Sequence, residues 1–138
     1  MANPEENFKE YIKDAEEKAG KADALKDIIN NAFQKVMDIN KSSEQLSALT
    51  KKVLLFVKMI QSYISGDYQN IPLRTIVTIV ASLLYFINPF DIIPDMIPGM
   101  GLLDDLAILM WVAGNVDKDI KDYEEFLKGN VEIKDPKP

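Results

Sequence analysis

Asp91, Asp95, Asp104 and Asp105 fall on a stretch that also holds Pro89, Pro94, Pro98, Gly99 and Gly101. Carboxylates this close, on a chain that turns this often, can serve one of two ends. Converging on a point, they offer up to eight oxygens to a hard cation such as Mg²⁺ or Ca²⁺, which relieves the mutual repulsion that otherwise raises their pKa values. Spread apart, they accept hydrogen bonds from backbone amides as helix caps and loop anchors. The spacing is not that of an EF-hand, whose ligands alternate and close on a Glu at the twelfth position. Asn88-Pro89-Phe90-Asp91 instead has capping logic, and Ile93 before Pro94 is pushed out of the helical region, so any helical piece there should be short.

Other chemistries are narrowed by what is missing. The chain has no His and no Cys, which removes the usual general base, the Ser-His-Asp triad, thiolate nucleophiles, zinc fingers and disulfides. Its single arginine, Arg74, leaves little to hold a diphosphate beside the aspartates. A net charge of −6 argues against nucleic acid, which is bound by clustered Lys and Arg. No cofactor is implied beyond the Mg²⁺ or Ca²⁺ of the cation reading. The expectation is a non-enzymatic protein.

The elements that must position the aspartates are helical. Phe8, Tyr11, Ile12, Ala15 and Ala19 recur at helical spacing after Asn3-Pro4-Glu5-Glu6, a helix start. Gly20 is a stop, and Leu25, Ile28, Ile29, Ala32, Phe33, Val36 and Met37 form a second stripe; its phase nearly matches the first, so residues 4–39 form one kinked helix or two. Ser42 with Gln45 suggests a capping box for a third helix through Leu46, Leu49, Val53, Phe56, Val57, Ile60 and Ile64, ended by Gly66. Lys51, Lys52 and Lys58 form its basic cluster, read as a solvated face, with an anionic membrane as the other reading.

Pro72 opens a fourth helix, through Ile87, with almost no polar face, which means burial on every side, in protein or in lipid. Leu73 to Ile87 is fifteen residues, short of the about 20 that span a bilayer. Leu102 or Leu103 starts a fifth helix to Gly129, with Asp104 and Asp105 in its first turn and a stripe of Leu106, Leu109, Val112, Val116, Ile120, Tyr123 and Leu127. Its second half is expected to pack on the first two helices. Tyr85 and Trp111 are expected in the core, and Met96, Met100 and Met110 as gap fillers near the hairpin tip.

These elements define an all-α, single-domain bundle of about five helices over residues 1–129, built around a central apolar helical hairpin (72–114) and followed by a flexible tail, 130–138. Pro72 to Gly114 carries one base and four acids, whereas both flanks mix charges densely. The N-terminal Met-Ala-Asn-Pro-Glu-Glu has neither a basic nor an apolar leader region, so the expected location is the cytoplasm, peripheral to or inserted in the inner membrane if the hairpin meets lipid.

The run Tyr85-Phe86-Ile87-Asn88-Pro89-Phe90-Asp91-Ile92-Ile93-Pro94-Asp95-Met96-Ile97-Pro98-Gly99-Met100-Gly101-Leu102-Leu103-Asp104-Asp105 resembles the signature of the YkvA-like domain of unknown function. The pattern, aromatic-aromatic-x-x-P-x-D-x-[IL]-P-D-x-[IL]-P-x-x-G-x-x-D-D, is met at every fixed position. Its loop positions here are Pro89, Asp91, Pro94, Asp95, Pro98, Gly101, Asp104 and Asp105, and a weaker likeness extends to Gly66-Asp67-Tyr68 and Ile71-Pro72. The resemblance implies small helical bacterial proteins, often with membrane segments, and brings no catalytic residues. The expected function is a binding or scaffold module that presents the hairpin to a protein partner or a membrane surface. The alternative is divalent-cation binding at Asp91, Asp95, Asp104 and Asp105, structural or in a metal-dependent enzyme.

Overall fold

The helix without a polar face is the one the others cover. In a computed structural model, which describes residues 4–39, 43–87 and 100–129, with side chains for 8–39, 43–87 and 106–129, six helices and no strand are found among the described residues. They are α1 (Pro4–Lys18), α2 (Ala22–Asp38), α3 (Glu44–Ser65), α4 (Leu73–Ile87), α5 (Met100–Asn115) and α6 (Asp117–Gly129). Helices α1, α2, α3 and α5 all pack on α4. Ile76, Ile79, Val80, Leu83 and Phe86 are wholly buried there. Removing each from water is worth about 1.5–3 kcal/mol, so α4 anchors the core. The most extensive pairing is α1 on α4, where Ala15, and Ala19 just past the end of α1, keep the buried side low.

Local chemistry sets the breaks. Residues 4–39 form two helices, not one: Lys21 is extended, and its amide donates to the Lys18 carbonyl, closing a turn at Gly20. The cap of α3 is Ser43, one residue later than expected; its hydroxyl accepts from the Leu46 amide at 3.1 Å. Ser42 and the tail 130–138 lie outside the described residues. Gly66 closes α3 at φ 89°, a left-handed conformation suited to glycine, with its amide donating to the Ser62 carbonyl. Phe33 and Met37, expected in the core, are exposed, because the buried side of α2 is covered only along Leu25, Ile28, Ile29, Ala32 and Val36.

The expected long fifth helix turns at Val116 into α5 and α6. The amide of Val116 still donates to Val112 and that of Ile120 to Val116, so the hydrogen-bond ladder passes through the turn. Gly114 and Asn115 are weak helix formers there, and Asp117 and Asp119 suit the first turn of a new helix. The consequence is a different partner for α6. Instead of α1 and α2, it meets α3 and the connection after it: Tyr123 shares a 2.8 Å hydrogen bond with Ser62 and donates to the Lys58 carbonyl at 3.3 Å. Tyr68 packs on both Tyr123 and Phe126, at ring-centroid distances of 5.2 and 4.6 Å. Phe126 turns toward this cluster, and Leu127, expected there, is exposed.

Thr50 is buried, and its Oγ1 has no hydrogen-bond partner, alone among the described residues. A buried hydroxyl left unmade costs about 1–3 kcal/mol. Thr50→Val, of nearly equal shape, should therefore raise stability by about 1 kcal/mol, read as a higher urea midpoint with an unchanged slope.

Candidate functional site

The two ends of the α4–α5 hairpin differ in what they present. At one end α4 enters the signature connection through Tyr85, Phe86 and Ile87. Tyr85 is buried, as expected, and Tyr11 of α1 meets it edge-on at 5.3 Å. Lys35 of α2 donates from Nζ to the Phe86 carbonyl and rests 4.8 Å from the centre of the Phe86 ring. An ammonium at the last turn of a helix meets both its unsatisfied carbonyls and the negative end of its dipole. The signature's first aromatic positions are thus fixed in the core and capped from α2.

Pro89, Asp91, Pro94, Asp95, Pro98 and Met96 lie outside the described residues. Gly101, Asp104 and Asp105 belong to α5, which starts at Met100, two to three residues earlier than the spacing suggested. Asp104 and Asp105 are therefore its fifth and sixth residues, and the first turn of α5 holds no acid. This corrects the expectation that the pair lies in the first turn; side chains of residues 100–105 are outside the description. Among the described residues, no group of three or more acids is placed to hold a metal ion.

The other end contains features that spacing alone misassigned. Ile108, Leu109, Val112 and Ala113 of α5 are buried on the bundle, but Met110 is 50% exposed and Trp111 43%. Neither fills the core as expected. With Ala107 and Gly114 they form an outward stripe that carries no charge, at helical spacing i, i+3, i+4, i+7. Phe8 of α1 meets Trp111 at 5.6 Å with the rings at 89°, holding the indole in place. The signal was present in the sequence: Leu109, Val112 and Val116 mark one side of α5, and Met110 and Trp111 fall off it.

Beside Trp111 runs a groove of about 540 Å³ between α1, the start of α4 and the α5–α6 turn. Phe8, Ile12 and Val116 form its apolar wall, and Lys9, Arg74, Thr78 and Asn115 its polar one. Thr75 Oγ1 donates to Asp119 Oδ2, joining α4 to α6 across the groove floor. A second groove, of about 690 Å³, shares Ile12, Arg74 and Thr78 with the first and continues along Ala19, Leu73 and Val77. On α3, Lys51 and Lys58 are exposed and Lys52 is half-buried.

A buried apolar helix, its surface-lying apolar partner and a proline- and aspartate-rich connection define a class of all-helical domain without known chemistry. Residues 75–111 match the family described as "Protein of unknown function (DUF1232)". Over 74 residues the chain is 34% identical to the "Uncharacterized membrane protein YkvA" of Bacillus subtilis (strain 168), covering 54% of this chain and 70% of that protein. No solved structure matches. The chain belongs to the YkvA-like family of unknown function. The match begins and ends on Thr75 and Trp111, both of which line the groove beside α5.

Two measurements test this region. Lys35→Met should cost about 1 kcal/mol, through loss of a charge-assisted cap on α4, and lower the melting temperature. Burial first, then the carboxylates of Asp122 and Asp119, raise the Tyr68 phenol above its ordinary 10.0, with Lys118 and a hydrogen bond to Asn70 offsetting part of the effect. The folded state thus holds this proton more tightly than the unfolded chain does. Its contribution is fully present below pH 10 and is lost as the pH rises above that. Tyr68→Phe should flatten the alkaline decline in denaturant midpoint relative to the unaltered protein, and equal slopes for the two would contradict the assignment.

Proposed function

We propose that this protein is a non-enzymatic helical module that docks on a membrane surface through the solvent-facing side of α5. The observation that carries the reading is the uncharged stripe Ala107, Met110, Trp111 and Gly114, with its two large side chains about half exposed. A helix that is apolar all round belongs in a core or in lipid, and among the described residues α5 is buried along Ile108, Leu109, Val112 and Ala113 while Met110 and Trp111 stay about half exposed. Tryptophan favours the headgroup level of a bilayer, where its ring is buried and its N–H stays wet. The relative's printed description as a membrane protein supports the same reading.

Docking leaves the bundle closed. Among the described residues no helix is long and apolar enough to cross a membrane. Helix α4, at 15 residues, is roughly 22 Å long against the ~30 Å of a hydrocarbon core. Covering Met110 and Trp111 is worth roughly 2–4 kcal/mol, which gives reversible attachment of the kind a single lipid chain provides.

Trp111 is the sole tryptophan, so its emission reports on this face alone. Adding vesicles of phosphatidylcholine and phosphatidylglycerol should shift the emission to shorter wavelength, protect it from iodide and float the protein with the lipid. Met110→Lys should weaken all three effects while leaving the melting temperature within about 1 °C, since the side chain is exposed. An unshifted spectrum with all protein left in the soluble fraction would overturn the proposal.

A further inference from the structure

We infer that the groove beside Trp111 is a phospholipid subsite, in which Arg74 and Lys9 hold the phosphodiester of one anionic lipid and the apolar track along Ile12, Leu73 and Val77 takes the start of its chains. The inference rests on the membrane-docking reading of α5, because Trp111 belongs both to the outward stripe and to the groove wall.

Charge placement carries the argument. The molecule is acidic overall, at −6, and several of its lysines are neutralised by an acid one helical turn away: Lys18 by Asp14, Lys118 by Asp122, Lys121 by Asp117. Arg74 and Lys9 differ. Both line the same groove, and among the described residues neither side chain makes an ion pair or hydrogen bond. A guanidinium can grip two phosphate oxygens at once, and the ammonium supplies a second positive charge beside it.

The groove's negative groups decide between a free anion and an amphiphile. Asp119 is on the floor with Oδ2 engaged by Thr75, and Glu16 lies at the far end of the second groove. Asp119 and Glu16 offset part of the charge on Arg74 and Lys9, so charge alone holds inorganic phosphate weakly. A lipid adds apolar contact that phosphate lacks: the two grooves are continuous through Ile12, Arg74 and Thr78, and Leu73, 62% exposed, lies on the second. Polar groups thus cluster where headgroups sit relative to an interfacial tryptophan, and apolar ones continue the track. The occupant that fits both parts is a phospholipid.

The test titrates the unaltered protein, Arg74→Gln, Lys9→Gln and the double variant with vesicles of phosphatidylcholine alone and with phosphatidylglycerol, following Trp111 emission. The unaltered protein should prefer the anionic vesicles by about tenfold at low salt, despite its own negative charge, and lose that preference as salt rises. The double variant should bind both vesicles at the phosphatidylcholine level, with its melting temperature unchanged because both side chains are exposed. Monomeric dihexanoylphosphatidylglycerol should raise the melting temperature of the unaltered protein, and inorganic phosphate at the same concentration should not. A double variant that keeps the full anionic preference overturns the subsite while leaving docking intact. A melting shift with phosphate equal to that with the lipid assigns the groove to a free anion and overturns it also. Failure of every vesicle to move the Trp111 emission defeats the docking reading, and the subsite with it.

Discussion

Enclosure of α4 beyond its exposed first residues, Leu73 and Arg74, is the constraint on which the structure depends. Its apolar side chains surround the helix axis, and each Å² left wet forfeits about 25 cal/mol. One neighbour covers only a stripe of such a surface. Four helices are therefore gathered on it, and the amphipathic stripes of α1, α2 and α3 are the covers. The small residues Ala15 and, just past α1, Ala19 keep the α1 contact low, and Lys35 satisfies the carbonyl end where α4 leaves the core.

Helix α5 has a similar composition and a different fate. One side is needed to finish the enclosure of α4 and to pack on α3. The other is met among the described residues only at its edge, by Phe8 of α1 against Trp111, and remains apolar, with Met110 and Trp111 about half exposed. The outer faces of α1 and α6 carry charge instead. The turn at Val116 then carries α6 away from the stripe and onto α3, through Tyr123 and Ser62, so that the groove beside Trp111 stays open.

Much of the core was legible because helical period is a local property. Leu49, Val53, Phe56, Val57 and Ile60 line the buried side of α3 as their spacing predicts, and Gly20 and Gly66 end helices where expected. Where the reading slipped, a local rule permitted two answers. Ser42 and Ser43 are both competent caps, and the chain uses Ser43. Phe33 and Met37 extend the stripe of α2 beyond the width its neighbours cover. Met59, absent from the predicted stripe, is buried because α3 has partners on more than one side. The candidate groove was not legible at all, since it joins residues as distant in sequence as Lys9, Arg74 and Trp111.

Composition and period settled that the chain is helical, that α4 is largely enclosed, and that it and α5 are two separate apolar helices, because propensity, capping and amphipathic spacing act within a turn or two of chain. They were silent on which side of α5 would be covered. That outcome follows from how four helices share the finite perimeter of α4, a competition for surface between segments far apart in sequence. Tertiary packing alone could decide it, and in doing so it placed an indole, a guanidinium and an ammonium around one groove.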